Sequence, residues 1–232
     1  MHEGSRTLPP MIQINGDSFG LTKGMVVPPS QEWFWDWCVA TGYAEKYDPD
    51  PSFGRLWPTA QYLARSLDAE TVAGKSVVEV GAGLGLCGLV AAKLGAARVR
   101  LVDREPLALH MAMSTAVLND LDTTSASPRV VAQAADFADV GDDVGPVDMI
   151  LGSDVLYDPS AAADLAAVCA RLLRPTGGTA LVADPKRGRA VGARDAYCDA
   201  VRALGGQLDV TPFPLRADLP EETILVAARW SS

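Results

Sequence analysis

The chain has 232 residues, enough for one sizeable α/β core with at most a small second unit. Although 48% of it is apolar, charged residues interrupt every apolar run short of the ~20 residues that a bilayer span requires, so no membrane contact is expected. A formal charge of −9 excludes the basic face that non-specific nucleic-acid binding needs, and suits a basic partner instead.

The opening stretch "MHEGSRTLPPMIQINGDSF" lacks the basic start and apolar segment of a secretory signal, and a cytoplasmic monomer is expected. Residues 1–56 read as an extension packed on the core that follows. Ten of the fifteen aromatics lie in residues 1–62, among them Trp33, Trp35 and Trp37. On a strand these three would share one face; on a helix only Trp33 and Trp37 would pair. Packing over the sheet edge and a lid over substrate are both open to them. "DPDPSFGR" (48–55) is a turn-rich joint, and "WPTAQYLARSLDAE" (57–70) an amphipathic helix.

Residues 57–232 read as the main domain. From Lys75 onward short β-like runs alternate with longer helical ones, the pattern of a Rossmann-like, mostly parallel sheet of seven strands with helices on both faces and an antiparallel last strand. "SVVEV" is a strand and "LCGLVAAKLG" a helix. "RVRLVD" is a strand, and "PLALHMAMSTAVLND" a helix opened by proline. Strands "RVVAQAAD" and "VDMILGSDVLY" follow, then helix "PSAAADLAAVCARLLRP", strand "GGTALVADP" and helix "RDAYCDAVRALGG". "QLDVTPFPL" and "ETILVAARW" close as an antiparallel pair, with Asp218 and Pro220 in their connection.

Two punctuated stretches carry chemistry. "EVGAGLGLCG" places Gly81, Gly83, Gly85 and Gly88 between a strand and a helix, where bare backbone can approach a ligand. The dinucleotide fingerprint G-x-G-x-x-G fails from Gly81, because Leu86 stands at its third glycine. From Gly83 it is formally met but begins three residues past Val80, too far from the strand end. Asp103, ending the next strand about 20 residues on, suits two ribose hydroxyls or, more simply, the start of the helix at Pro106. The second stretch, "MILGSDVLYDP", ends an apolar strand in Ser153, Asp154 and Tyr157 at the carboxyl edge of the sheet. Asp154 is also of a type that caps the next helix.

The spacing Glu79-x-Gly81-x-Gly83-x-Gly85 resembles motif I of the class I, seven-strand S-adenosylmethionine-dependent methyltransferases. Joined to "GRLWPTAQYLARSL" (54–67) and to Asp154-x-x-Tyr157, it resembles methyltransferase family 16, the protein lysine methyltransferase group, over about residues 54–185. That resemblance implies S-adenosyl-L-methionine as cofactor. Trp57 would lie beside it, Glu79 near the strand end, and Gly81, Ala82 and Gly83 along its amino-acid end, with Gly85 also in the cofactor-binding loop and Asp103 on its ribose. Asp136 and Phe137 stand where the family carries a polar residue and tryptophan near the adenine; phenylalanine keeps stacking but loses an indole N–H. Ser153 replaces the usual alanine. Asp154 and Tyr157 are the implied catalytic pair, orienting a lysine Nε of a protein substrate presented in a basic segment.

The cofactor motifs leave histidine, arginine or a small molecule open as acceptor, and a non-catalytic cofactor-binding protein as well. The cysteines Cys38, Cys87, Cys169 and Cys198 form no C-x-x-C pair, and the only histidines are His2 and His110, so no metal centre is expected. Cys87 falls in a first helical turn, as core filler or as a thiol activated by the helix dipole.

Overall fold

The computed structural model describes residues 11–47, 49–141, 144–185, 191–213 and 223–231. His2, Asp48, Asp218 and Pro220 lie outside these. The extension begins with a hairpin not expected from the sequence, β1 (Ile12–Gly16) against antiparallel β2 (Leu21–Val27). Next comes α1 (Gln31–Ala40), capped by the Ser30 side chain on the Trp33 amide. The tryptophan run is therefore helical: Phe34 and Cys38 are buried, while Trp33 and Trp35 are 36% and 40% exposed. Alternation of the tryptophans is thus overridden by the i, i+4 burial of Phe34 and Cys38.

A short α2 (Tyr43–Tyr47) leads through a 3-10 turn at Pro51–Gly54 to α3 (Pro58–Ser66) and α4 (Ala69–Val72). The amphipathic stretch breaks at Leu67 because Asp68 turns extended and takes the Thr71 amide on its own carboxylate, starting a new helix.

The remaining elements match the expected order. They are β3 (Ser76–Val80), α5 (Leu86–Lys93), β4 (Arg98–Asp103), α6 (Pro106–Leu118), β5 (Val130–Ala134), β6 (Met149–Ser153), α7 (Pro159–Leu173), β7 (Thr179–Asp184), α8 (Ala193–Ala203), β8 (Gln207–Pro212) and β9 (Ile224–Arg229). Seven strands form one sheet in the order β5-β4-β3-β6-β7-β9-β8. β3 to β7 are parallel, and β9 is antiparallel to both neighbours. Alternate side chains of β3 feed two cores. Val77 joins the apolar side containing α3, α5, α6 and the hairpin, and Val78 and Val80 join the side containing α7 and α8.

Phe19, Leu21, Met25 and Phe34 of the N-terminal segment share the first core with Leu89 and Met111. Buried polar groups fix the hairpin on α6: the Val26 amide donates to Thr115 Oγ1 (2.9 Å) and Asn119 Nδ2 to the Gly24 carbonyl (2.8 Å). From β3 the chain builds outward through β4 and β5, then crosses back to lay β6 beside β3. That reversal makes the carboxyl ends of β3 and β6 the topological switch point, where open α/β sheets bind ligands.

Candidate functional site

The glycine loop leaves β3 at this switch point. Gly81, Gly83 and Gly85 have φ of +57°, +50° and +71°, a region that costs a side-chain-bearing residue about 1–2 kcal/mol. Two of them are also sterically required. A Cβ on Gly81 would lie 2.6 Å from Val155 Cγ1, and one on Gly85 2.9 Å from the Ala112 Cβ. Gly83 differs, since its added Cβ would meet only the Phe53 carbonyl, at 3.5 Å. Its bare face is the part of the loop that a ligand can approach. Gly88 sits in α5, where a Cβ would strike Leu101 Cδ2 at 2.5 Å, so it lets the helix close on the sheet.

Two carboxylates hold the loop and the start of the helix that follows it. Glu79 is 2% exposed and accepts from the amides of Cys87 (3.2 Å) and Gly88 (2.7 Å), occupying the N-terminal end of α5. Burial pushes its carboxyl up to about 7 against those two amides, which favour the charged form. Asp103 accepts the Gly83 amide on Oδ2 (2.7 Å) and the Glu105 amide on Oδ1 (2.8 Å). Burial raises its pKa too, opposed by the same amides. Cys87 is fully buried and its thiol is pushed well above the usual range by burial and by Glu79, which makes it core filler.

The second stretch leaves β6 next door. Ser153 ends the strand, paired with Ala183 of β7, and Asp154 follows at φ +58° with its amide donating to the Ala183 carbonyl (3.0 Å). A left-handed aspartate directly after a strand holds its carboxylate at the sheet edge at a conformational cost. Val155, 3% exposed, wedges between the two strand ends: Cβ positions built on Gly81 and Gly152 would lie 2.6 and 3.1 Å from its methyls. The loop and the turn are therefore packed on each other.

Tyr157 is 48% exposed. Burial of its inner part raises the phenol pKa, Arg104 opposes, and the carboxylates Asp103, Asp50 and Asp136 add to it. The phenol thus lies in the field of the Arg104 guanidinium and of these three carboxylates. The Phe137 ring edge reaches 3.9 Å from the Cβ position of Gly81. Asp136 is exposed, Ala82 is buried and donates its amide to Val102 (3.0 Å), and Trp57 starts α3 with the Arg55 guanidinium 4.7 Å from its ring centre.

So the structure brings together Gly81, Gly83, Asp103, Phe137, Asp154 and Tyr157 at one edge, and sets the Glu79 carboxylate on the first-turn amides of α5, directly after the loop. Sequence reasoning passed over Phe53, Val155, Asp50 and Arg104, which only the fold brings in, and also Tyr43 and Glu105. Glu105 had a signal: an acid directly before Pro106, and its side chain does cap α6 on the Leu107 amide (3.0 Å). Among the described residues no group of three or more His, Cys, Asp or Glu is placed to hold a metal, and no helix is long and apolar enough to cross a membrane.

Residues 51–194, more than half of the chain, match the family described as lysine methyltransferase. An electron transfer flavoprotein beta subunit lysine methyltransferase of Danio rerio is 30% identical over 60% of this chain and 52% of its own length. The histone-arginine methyltransferase METTL23 of Mus musculus is 36% identical over 45% of this chain and 41% of its own. A ribosomal protein L11 methyltransferase of Thiobacillus denitrificans is 38% identical over 38% of this chain and 30% of its own. The chain thus spans about half or less of the length of these curated relatives. In fold it is similar to the magnesium protoporphyrin IX methyltransferase of Synechocystis, solved with bound S-adenosylmethionine (TM-score 0.55, 18% identity, 83% of this chain and 82% of that one).

Proposed function

Because this chain belongs to the lysine methyltransferase family, methyltransferase family 16, we propose that it methylates the Nε of a lysine in a protein substrate. The cofactor is S-adenosyl-L-methionine, whose sulfonium supplies an electrophilic methyl group when bound. The residues present fit it: Gly83 offers a bare backbone face, and Asp103 is fixed by two amides beside it. We assign Gly81, Ala82 and Gly83 to its amino-acid end, Gly85 to the same binding loop, Asp103 to its ribose, and Trp57, Asp136, Phe137 and Ser153 to its surroundings. Glu79 serves it indirectly, by holding the start of α5 directly after the loop.

The observation that carries the acceptor assignment is Asp154, kept left-handed on a turn that Val155 keys to the glycine loop. A free lysine has a pKa near ~10.4 and must be neutral to attack. Asp154 accepts a hydrogen bond from the amine and aims its lone pair. Since a carboxylate by itself would favour the ammonium, the proton leaves through the exposed side of Tyr157 to water. The raised phenol stays protonated at neutral pH and lines that exit as a donor. Alignment and desolvation by these groups lower the barrier, with no general base demanded of the loop. Asp50 and Asp136, whose charges act on Tyr157, favour a basic segment around the target lysine.

The mouse relative's name supports arginine as a second reading. Both are tested by incubating the protein with methyl-labelled cofactor and a proteome extract, then hydrolysing and separating the labelled amino acids. Label in methyllysine is expected. Label confined to methylarginine or methylhistidine would replace the reading, and no transferred label would remove it.

A further inference from the structure

The helix that precedes the family-matched region reaches the β4–α6 connection beside Asp103. Tyr43, in α2, lies outside the matched residues 51–194, yet its hydroxyl donates to Glu105 Oε1 across 62 residues at 2.8 Å. The same oxygen takes the Leu107 amide (3.0 Å), and Glu105 is 8% exposed. Two residues earlier in the chain, Asp103 accepts the Glu105 amide on Oδ1 and the Gly83 amide on Oδ2. Tyr43 is itself backed by rings: its centre lies 5.9 Å from that of Trp37 and 4.5 Å from that of Tyr47. Phe34 of α1 meets Phe53 edge-on at 4.9 Å, and the Phe53 carbonyl is the group that faces Gly83.

Glu105 is the hinge of this path. Its side chain caps α6, and its backbone amide orients Asp103, so any shift of Glu105 moves both. Asp103 has two oxygens, each able to accept two hydrogen bonds. With one bond on each already made by an amide, one acceptor position remains per oxygen, which matches two ribose hydroxyls.

We propose that Tyr43 is a positioning residue for the cofactor: through Glu105 it fixes Asp103, and the N-terminal helices thereby complete the ribose site rather than merely covering the sheet. This rests on the assignment of Asp103 to the ribose made above. A neutral donor to a buried carboxylate holds it without adding charge, so removing the hydroxyl leaves a buried acceptor short of a partner and free to tilt. The loss should appear in cofactor affinity and not in the catalytic step, because the hydrogen-bonded path from Tyr43 runs through Glu105 to Asp103 and the Gly83 amide.

The test is calorimetric titration of the full chain with S-adenosylhomocysteine, in wild type, Tyr43→Phe, Asp103→Asn and the double variant. Tyr43→Phe should weaken binding about threefold to tenfold, the usual weight of one hydrogen bond. It should leave kcat at saturating cofactor within about twofold, and cause no further loss in the Asp103→Asn background. Glu105→Ala enters the same path from the other side and should weaken binding at least as much, without adding to Tyr43→Phe. Wild-type affinity in both Tyr43→Phe and Glu105→Ala overturns the proposal. So does a Tyr43→Phe loss that persists undiminished with Asp103→Asn, which would mark a role in packing alone. If Asp103→Asn itself binds as wild type, the ribose assignment is what fails, and the Tyr43 path falls with it.

Discussion

The glycine loop and the acidic turn leave neighbouring parallel strands at the same edge, yet they meet the same backbone demand with opposite residues. In the loop, left-handed positions fall on Gly81, Gly83 and Gly85, which adopt them without steric cost. In the turn, a comparable position falls on Asp154, which does not. Two of the loop glycines are also enforced by contact, Gly81 against Val155 and Gly85 against Ala112, whereas a Cβ at Gly83 would meet only the Phe53 carbonyl at ordinary contact distance. On the proposed reading, the loop is shaped for a ligand that approaches its backbone, and the turn keeps a strained residue for an acceptor that its side chain reaches.

Substitutions that exchange these solutions should break the parallel in opposite directions. Asp154→Gly should cost at least a hundredfold in methylation rate, yet shift stability by no more than about 1 kcal/mol, because relief of the left-handed strain offsets the entropy of glycine. Initial rates and denaturant melts on the same preparation check both halves. In the loop, Gly81→Ala and Gly85→Ala combine strain with a clash and should each destabilise by about 2–4 kcal/mol, with cofactor binding lost alongside.

A slightly smaller effect concerns pH. Glu79 has its pKa raised to about 7 in the fold, above the unfolded carboxylate, so the folded state binds more protons between these values. Stability should therefore be full below about pH 4.5 as far as this group is concerned, fall as pH rises to about 7, and then level. Glu79→Gln should flatten that slope, which melting curves from pH 4.5 to 8 would read. Tyr157→Phe should slow turnover about tenfold, the weight of one lost hydrogen bond, with cofactor affinity unchanged in titration.

Most of the sheet was legible because its strands are apolar runs ended by glycine, proline or acid, and a parallel sheet buried on both faces has to look that way. β4 and β3 begin and end where "RVRLVD" and "SVVEV" do. The hairpin was not legible: β1 is a short, mostly exposed run of five residues, and its partner docks on α6 through Thr115 and Asn119, residues some 90 positions away. Asp103, Asp154 and Tyr157 stood out because polar groups at strand ends have few structural uses. Tyr43, Val155 and Phe53 did not, because an aromatic or a valine gives no local sign of which distant backbone it will touch. Glu79 was visible as a motif position, but its burial against the first turn of α5 is a property of that helix's return over the sheet.

The division of labour between loop and turn is tested most directly by steady-state kinetics of Asp154→Asn, which keeps the size of the side chain and removes its charge. The account predicts a kcat reduced at least a hundredfold, with the KM for S-adenosylmethionine within about twofold of wild type. A wild-type kcat, or a loss expressed mainly in the cofactor KM, would contradict it.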